Sequence, residues 1–297
     1  MSTKSAVLAP TAVAVIGLGN MGVPMANRLI QAGFAVTGFD LSEPARQRFS
    51  AAGGHVTEDV LAAVKSAAVV ITLLPDGKAV RSAIERIQSS LKPGCVIMEM
   101  SSSEPLGTRS LGESCIAAGL EFIDAPISGG VKRATDGSLA IMVGGKDSTI
   151  DRVDALLKAM GKSIFRTGVL GSGHAMKALN NYVSAAGLIA AVEAVHIGEK
   201  FGLNPDLMAD IFNASTGRNN TTEVKLKQFI ISKAFNAGFP LKLMAKDVRT
   251  ADNLAHAIGV PSPLADVCAQ LWDDASEALG PAADHTAIGQ HIEKLKP

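Results

Sequence analysis

The chain has 297 residues, 47% of them hydrophobic, with 28 Lys+Arg against 28 Asp+Glu and a formal net charge of zero. That length is about twice a typical domain and points to two domains, each with enough apolar residues for a core. The charge balance excludes binding to nucleic acid or a membrane surface driven by bulk charge.

The N-terminus, Lys4 followed by AVLAPTAVAVIGLG, has the outline of a signal peptide. It lacks a small-residue cleavage site and runs straight into a glycine motif, so a short leader and a first strand are expected. Apolar, β-branched runs then predict strands over 12–17, 35–40, 67–75, 95–100, 121–126, 139–145 and 163–168. Helical patterns between them cover 23–32, 44–52, 60–66, 78–88, 108–118 and 148–160. Strands alternating with helices of this length imply βαβ units and a mostly parallel sheet, and the continuous apolar strands fit burial on both faces.

Beyond Gly168 no β-rich run follows. A long helix is predicted over 176–201, then helices over 205–213, 222–232, 242–258 and 263–279. The expected organisation is an α/β dinucleotide-binding domain over 1–171 and an all-helical domain for substrate and oligomerisation over 172–297, joined by the long helix. The most apolar stretch there, Val183–Val192, is too short to span a bilayer, and no membrane association is expected. Cys95, Cys115 and Cys268 lie far apart with no CxxC pair, so they read as reduced thiols of a cytoplasmic protein.

The segment VIGLGNMGVPMANRLI (Val15–Ile30) holds Gly17, Gly19 and Gly22 as GxGxxG between a strand and a helix. There the first glycine makes the tight turn, the second admits a pyrophosphate, and the third lets helix and strand pack closely. The helix N-terminus favours the phosphate charge. Asp40 ends the second predicted strand at the distance expected of a ribose-binding carboxylate. Such a group accepts bonds from ribose hydroxyls and repels a 2′-phosphate, so NAD is expected over NADP. A turn or cap role within FDLSEP is the alternative for Asp40. Arg46 and Arg48 could in principle meet a phosphate, but they lie within the next helix.

Oxidation of an alcohol by a nicotinamide needs a group that takes the hydroxyl proton. In GSGHAMKALNN, Lys177 and Asn181 stand four apart on a helix and share a face. A lysine serves as base when desolvation or a nearby cation lowers its pKa from about 10.4. A solvated helix face is the plainer reading of the pair, and the domain junction favours the functional one. His174 is a competing base or a helix-start residue. In DAPISGG, Ser128 offers a hydroxyl and Gly129 and Gly130 offer approachable N–H groups, either as an anion nest or as an ordinary glycine turn. In MAKDVRTA, Lys246 and Asp247 interrupt an apolar pattern, as an internal ion pair, a solvated face or a charged group aimed at the site. None of the six histidines falls in a metal-ligand motif, and no metal is expected.

GLGNMGVPMA, DAPISGG, GSGHAMKALNN and KDVRTA, in this order and spacing, resemble the β-hydroxyacid dehydrogenases over nearly the whole chain. That group includes 3-hydroxyisobutyrate dehydrogenase, tartronate semialdehyde reductase and L-threonate dehydrogenase. The resemblance implies a Rossmann-like domain followed by a helical one, and hydride transfer between NAD and a small β-hydroxy acid. It makes Lys177 the general acid/base and Asn181 its substrate-orienting partner. It assigns the substrate to Ser128, Gly129 and Gly130, with Lys246 reaching both substrate and nicotinamide. It sets the cofactor against Gly17, Leu18, Gly19, Asn20, Met21, Gly22, Asp40, Leu74, Pro75 and Ser102. It also implies a homodimer or homotetramer.

Two residues depart from the family pattern: Arg28 where Asn is common, and Glu99 where Asp is common. Two other functions fit the same architecture, a non-catalytic NAD-binding interaction module and an imine reductase. Both are expected to lack the lysine that this chain keeps at 177. Substrate identity turns on Lys132, Arg133, Arg218, Asn219 and Asn220. Lining the site, they would favour a polyhydroxylated acid such as threonate or glycerate; on surface loops, they leave 3-hydroxyisobutyrate equally suited.

Overall fold

The computed structural model describes residues 5–295. The described strands are β1 (Ala12–Ile16), β2 (Ala35–Phe39), β3 (His55–Val56), β4 (Val69–Thr72), β5 (Val96–Glu99), β6 (Glu121–Asp124), β7 (Ile127–Ser128), β8 (Leu139–Gly145) and β9 (Gly161–Gly168). They form one sheet in the order β3-β2-β1-β4-β5-β6-β8-β7, with β9 beside β8. Pairing is parallel from β3 through β6, antiparallel where β8 meets β6 and β7, and parallel again at β9.

The helices between the strands are α1 (Gly22–Gln31), α2 (Glu43–Ala51), α3 (Val60–Val64), α4 (Gly77–Ile87), α5 (Pro105–Ala117), α6 (Gly130–Asp136), α7 (Asp147–Arg152) and α8 (Asp154–Met160). The period of two along each strand explains the layering. Val13 and Val15 of β1 enter one core while Ala14 and Ile16 enter the other, and Val69/Ile71 against Val70 repeat this in β4. Each of these side chains is essentially inaccessible to solvent, and each valine or isoleucine among them contributes roughly 1.5–3 kcal/mol by burial. This is the two-faced burial that continuous apolar strands require.

The second part is helical: α9 (Ser172–Phe201), α10 (Pro205–Ala214), α11 (Asn220–Val224), α12 (Leu241–Ala257), α13 (Pro263–Leu279) and α14 (Ile288–Lys294), with a π-helical turn over Leu226–Ile231. Its core gathers Leu188, Val192 and Val195 of α9, Met244 and Val248 of α12, and Trp272 of α13. Compact packing divides the chain between Lys177 and Ala178, within α9; the sequence reading drew the boundary at 171/172.

Several elements differ from the sequence reading. The long helix begins at Ser172 and is 30 residues, long and apolar enough by length and composition to cross a membrane, so the measure taken from Val183–Val192 was too short. Its apolar side chains Leu188 and Val192 fill the core of the second unit. The predicted helix over 148–160 breaks at Val153, which leaves helical geometry and is fully buried. Two-residue β3 and β7 are too short to show a period. The segment after SGG forms α6 where a simple turn was an open alternative.

Candidate functional site

The carboxyl ends of β1, β2, β4, β5 and β6 lie along one edge of the sheet, because these strands run parallel. Sheet order reverses at β1, which has β2 on one side and β4 on the other, and such a switch point opens a crevice for a ligand. Gly17 follows β1 with φ +104°, and a Cβ there would meet the Leu73 carbonyl oxygen at 2.2 Å. A Cβ on Gly22 would meet the Gly17 carbonyl oxygen at 1.9 Å, so strand and α1 touch through bare backbone. A Cβ on Gly19 would meet nothing within 4 Å. The second glycine therefore faces open space at the start of a ten-residue helix, as a pyrophosphate contact requires.

Asp40 accepts from Leu18 N at 2.7 Å and from Ser42 N at 2.8 Å. The turn role read for Asp40 is thus present, and the carboxylate also ties β2 to the glycine loop; its remaining lone pairs can accept from a ribose. Arg46 donates to the Asp40 and Leu41 carbonyls and pairs with Glu58, so its guanidinium is occupied. These residues fit a dinucleotide.

Past β4, Leu74 N donates to Ser101 Oγ at 2.9 Å, which joins the Leu74–Pro75 turn to the serine loop after β5. Ser101 N donates to Glu99 Oε1 at 2.9 Å. Glu99 Oε2 lies 2.6 Å from His174 Nε2, and the Thr108 hydroxyl lies 3.0 Å from His174 Nδ1. Asp124, which ends β6, accepts from Gly171 N at 2.7 Å and His174 N at 2.9 Å. It therefore grips the start of α9, the helix that carries half-buried Lys177. Alanine at Gly144 or Gly173 would press a Cβ to 2.5 Å and 2.8 Å of the Asp124 carboxylate oxygens.

Glu99, Asp124 and His174 are each at most 1% exposed. Burial opposes ionisation of Glu99, but the His174 charge and the bonds from His174 and Ser101 outweigh it and hold the carboxyl below its ordinary range. Burial likewise opposes charge on His174, while Glu99 and then Asp124 push its pKa above the ordinary histidine value. Glu99, noted as a departure, thus reaches the ring directly, and His174 is bound at both nitrogens instead of standing ready as a base.

In the second unit, Asn181 Nδ2 donates to Asp247 Oδ2 at 2.6 Å, and Lys246 Nζ lies 3.3 Å from Asp247 Oδ1. Asp247 is 2% exposed and holds both side chains. The ion pair considered for Lys246 and Asp247 is present, and its carboxylate also orients Asn181, a role no spacing rule signals. Ser128 ends β7, and Gly129 and Gly130 are exposed at the start of α6 with φ of +136° and +67°.

Lys132 and Arg133 are exposed on α6. Arg218 pairs with Glu223 at 2.6 Å. Asn219 caps α11 by accepting from Thr221 N and Thr222 N. Arg28 reaches the Ala159 carbonyl and lies over Gly137. Asp252, His256 and Asp266 bring one ligand atom each within 4.8 Å, but Arg249 sits 2.7 Å from Asp252 and already offsets that charge. Cys95, Cys115 and Cys268 are free and buried, and burial pushes each thiol up to about 11.

Comparison with known proteins gives the same picture. Residues 12–168 match the NAD-binding domain of 6-phosphogluconate dehydrogenase, and residues 171–292 match the NAD-binding domain of NADP-dependent 3-hydroxyisobutyrate dehydrogenase. The 2-(hydroxymethyl)glutarate dehydrogenase of Eubacterium barkeri is 33% identical over 88% of each chain. The NAD-dependent L-serine dehydrogenase of Pseudomonas aeruginosa is 33% identical over 88% of this chain and 90% of its own. The 3-hydroxyisobutyrate dehydrogenase of Mycobacterium tuberculosis, solved with L-serine, superposes with a TM-score of 0.90 at 33% identity, covering 95% of this chain and 99% of that one. With a glycine cradle open at Gly19, four motifs in order and this agreement along both units, the chain belongs to the β-hydroxyacid dehydrogenases and is an NAD-dependent oxidoreductase of hydroxy acids.

Proposed function

We propose that the protein transfers hydride between NAD and a small 3-hydroxy carboxylate bearing a primary alcohol, with Lys177 as general acid/base. The observation that carries this reading is the lysine's setting: it stands three residues after His174, on the helix start that Asp124 fixes at the carboxyl edge of the sheet. When bound, NAD accepts the hydride. Lys177 Nζ takes the hydroxyl proton as the hydride leaves and returns it in reduction. Asn181, oriented by Asp247, keeps a second amide N–H for the substrate. Ser128, Gly129 and Gly130 hold the carboxylate, and Lys246 is the residue of the second unit that the family resemblance assigns to substrate and cofactor. Gly17 to Gly22, Asp40, Leu74, Pro75 and Ser102 would hold the cofactor, and the Asp40 carboxylate would disfavour a 2′-phosphate.

The substrate class follows from two supports. L-Serine, 3-hydroxyisobutyrate and 2-(hydroxymethyl)glutarate, named for the relatives, all carry a hydroxymethyl group on the carbon next to a carboxylate. Arg218 and Asn219, two of the five residues that would favour a polyhydroxylated acid, are engaged within their own segment. A panel of hydroxy acids assayed with NAD and NADP by absorbance of the reduced nicotinamide tests the reading. Turnover is expected on 2-substituted 3-hydroxypropanoates with NAD, and Lys177→Ala is expected to lose at least about 100-fold in kcat with NAD affinity kept. Wild-type rates in that variant would remove Lys177 from its role.

The proposal extends to a cytoplasmic homodimer or homotetramer. Self-association is supported by exposed apolar residues on the second unit, among them Ile197 and Phe201 of α9 and Leu207 and Ile211 of α10.

A further inference from the structure

We propose that His174, clamped between Glu99 and Thr108, is a positioning residue for hydride transfer: it sets where the first turns of α9, and so Lys177, stand against the serine loop after β5. This rests on the reading of Lys177 as acid/base.

The connection is continuous. It runs from Leu74 N to Ser101 Oγ, from Ser101 N to Glu99 Oε1, and from Glu99 Oε2 to His174 Nε2. From there the His174 and Gly171 amides pass to Asp124. One end is a turn assigned to the cofactor and the other is the helix start three residues before the acid/base lysine. The charged groups facing the ring are Glu99, from the end of β5, and Asp124, from the end of β6. With both carboxylates beside it, the ring is favoured in its protonated form: Nε2 faces Glu99 Oε2 at 2.6 Å and the Ser101 carbonyl at 3.3 Å, and Nδ1 faces the Thr108 hydroxyl at 3.0 Å. That fixes its rotation as well as its position, which an apolar side chain of the same size would not do.

Stability alone does not account for such a group. A buried ion pair adds little or nothing over well-packed apolar side chains, and its best-attested use is to specify one arrangement among several. Here the arrangement specified is the approach of a helix start to a loop. A displacement of about an ångström at a reacting group lowers a rate by roughly 100-fold.

The test uses the full-length protein with and without NAD. Histidine ring signals are followed by NMR across pH, NAD affinity by calorimetry, and kcat and KM with a 3-hydroxy acid. The variants are Glu99→Asp, Glu99→Gln and His174→Gln. In the wild type the His174 ring is expected to stay protonated well above pH 6.5, the ordinary histidine value, and in Glu99→Gln to lose its proton nearer that value. Glu99→Asp keeps the charge but shortens the reach, so its ring stays protonated while kcat falls about 10- to 100-fold, with KM and NAD affinity little changed. His174→Gln is expected to lose kcat to the same extent.

A neutral His174 ring at pH 7 in the wild type overturns the proposal, and so does wild-type kcat in Glu99→Asp. If His174→Gln does not fold, the wild-type titration and Glu99→Asp still decide. Lys177→Ala serves as the separating control. Should it retain full rate while Glu99→Asp loses it, the acid/base reading falls and the positioning role stands for another group of the site.

Discussion

Gly17, Gly19 and Gly22 look alike in the sequence and do three different things. Two are fixed by the protein itself: alanine at Gly22 would place a Cβ 1.9 Å from a backbone oxygen, and at Gly17 2.2 Å from another. A Cβ on Gly19 would meet no protein atom within 4 Å, which leaves the space beside it open to a ligand. Gly22→Ala is therefore expected to destabilise the fold by at least about 1–3 kcal/mol, seen in thermal melts. Gly19→Ala should melt like the wild type and bind NAD at least about tenfold more weakly, seen by calorimetry. A Gly19→Ala protein with unaltered NAD affinity would remove that glycine from the cofactor site. The motif and its strand-to-helix setting were legible because chemistry and backbone geometry constrain the same few residues. Asp247 and Glu99 were not legible as a pair of anchors. Each is defined by what it touches far along the chain, Asn181 in one case and His174 in the other, and spacing carries no trace of that.

Long elements were read well and short ones poorly. The strands β1, β2 and β8 and the helices α12 and α13 bury enough periodic apolar residues to announce themselves. β3, β7 and the π-helical turn are set by neighbouring elements and have no period of their own to read. The segment STGRNNTT shows how an element can decide a functional question. Asn219 accepts from two backbone N–H groups, and Thr222 Oγ1 accepts from Asn219 N in return, a reciprocal cap that starts α11. Asn219→Ala should then cost about 0.5–2 kcal/mol in denaturant unfolding and leave KM for the hydroxy acid unchanged. A large rise in KM without loss of stability would return Asn219 to the substrate.

For the molecule as a whole, the response to acid is set in part far from the chemistry. His285 is 4% exposed, and burial, then the Lys225 charge, lowers its pKa to about 4 despite the neighbouring Asp284 carboxylate. The unfolded chain takes up the histidine proton near pH 6.5, whereas the folded one does so only near pH 4. Stability is thus full above pH 6.5 and declines as pH falls toward 4, by on the order of 3 kcal/mol from this group. Melting temperatures measured across that range should fall more steeply in the wild type than in His285→Gln; parallel curves would assign the acid sensitivity elsewhere. Self-association belongs to the same scale. Sedimentation equilibrium should give a mass of two or four chains, and Phe201→Glu, at a position 85% exposed in the single chain, should reduce it.

The room left around Asp124 bears on how mutational data for this enzyme are to be interpreted. Neither Gly144 nor Gly173 has any chemistry, yet one added methyl at either would push into a buried carboxylate and the main chain beside it. If Lys177 is the acid/base proposed above, a saturation screen scored on turnover would rank both glycines with it. Only a parallel measure of folded protein abundance would separate them, because at the two glycines the lost activity tracks lost protein, and at the lysine it does not.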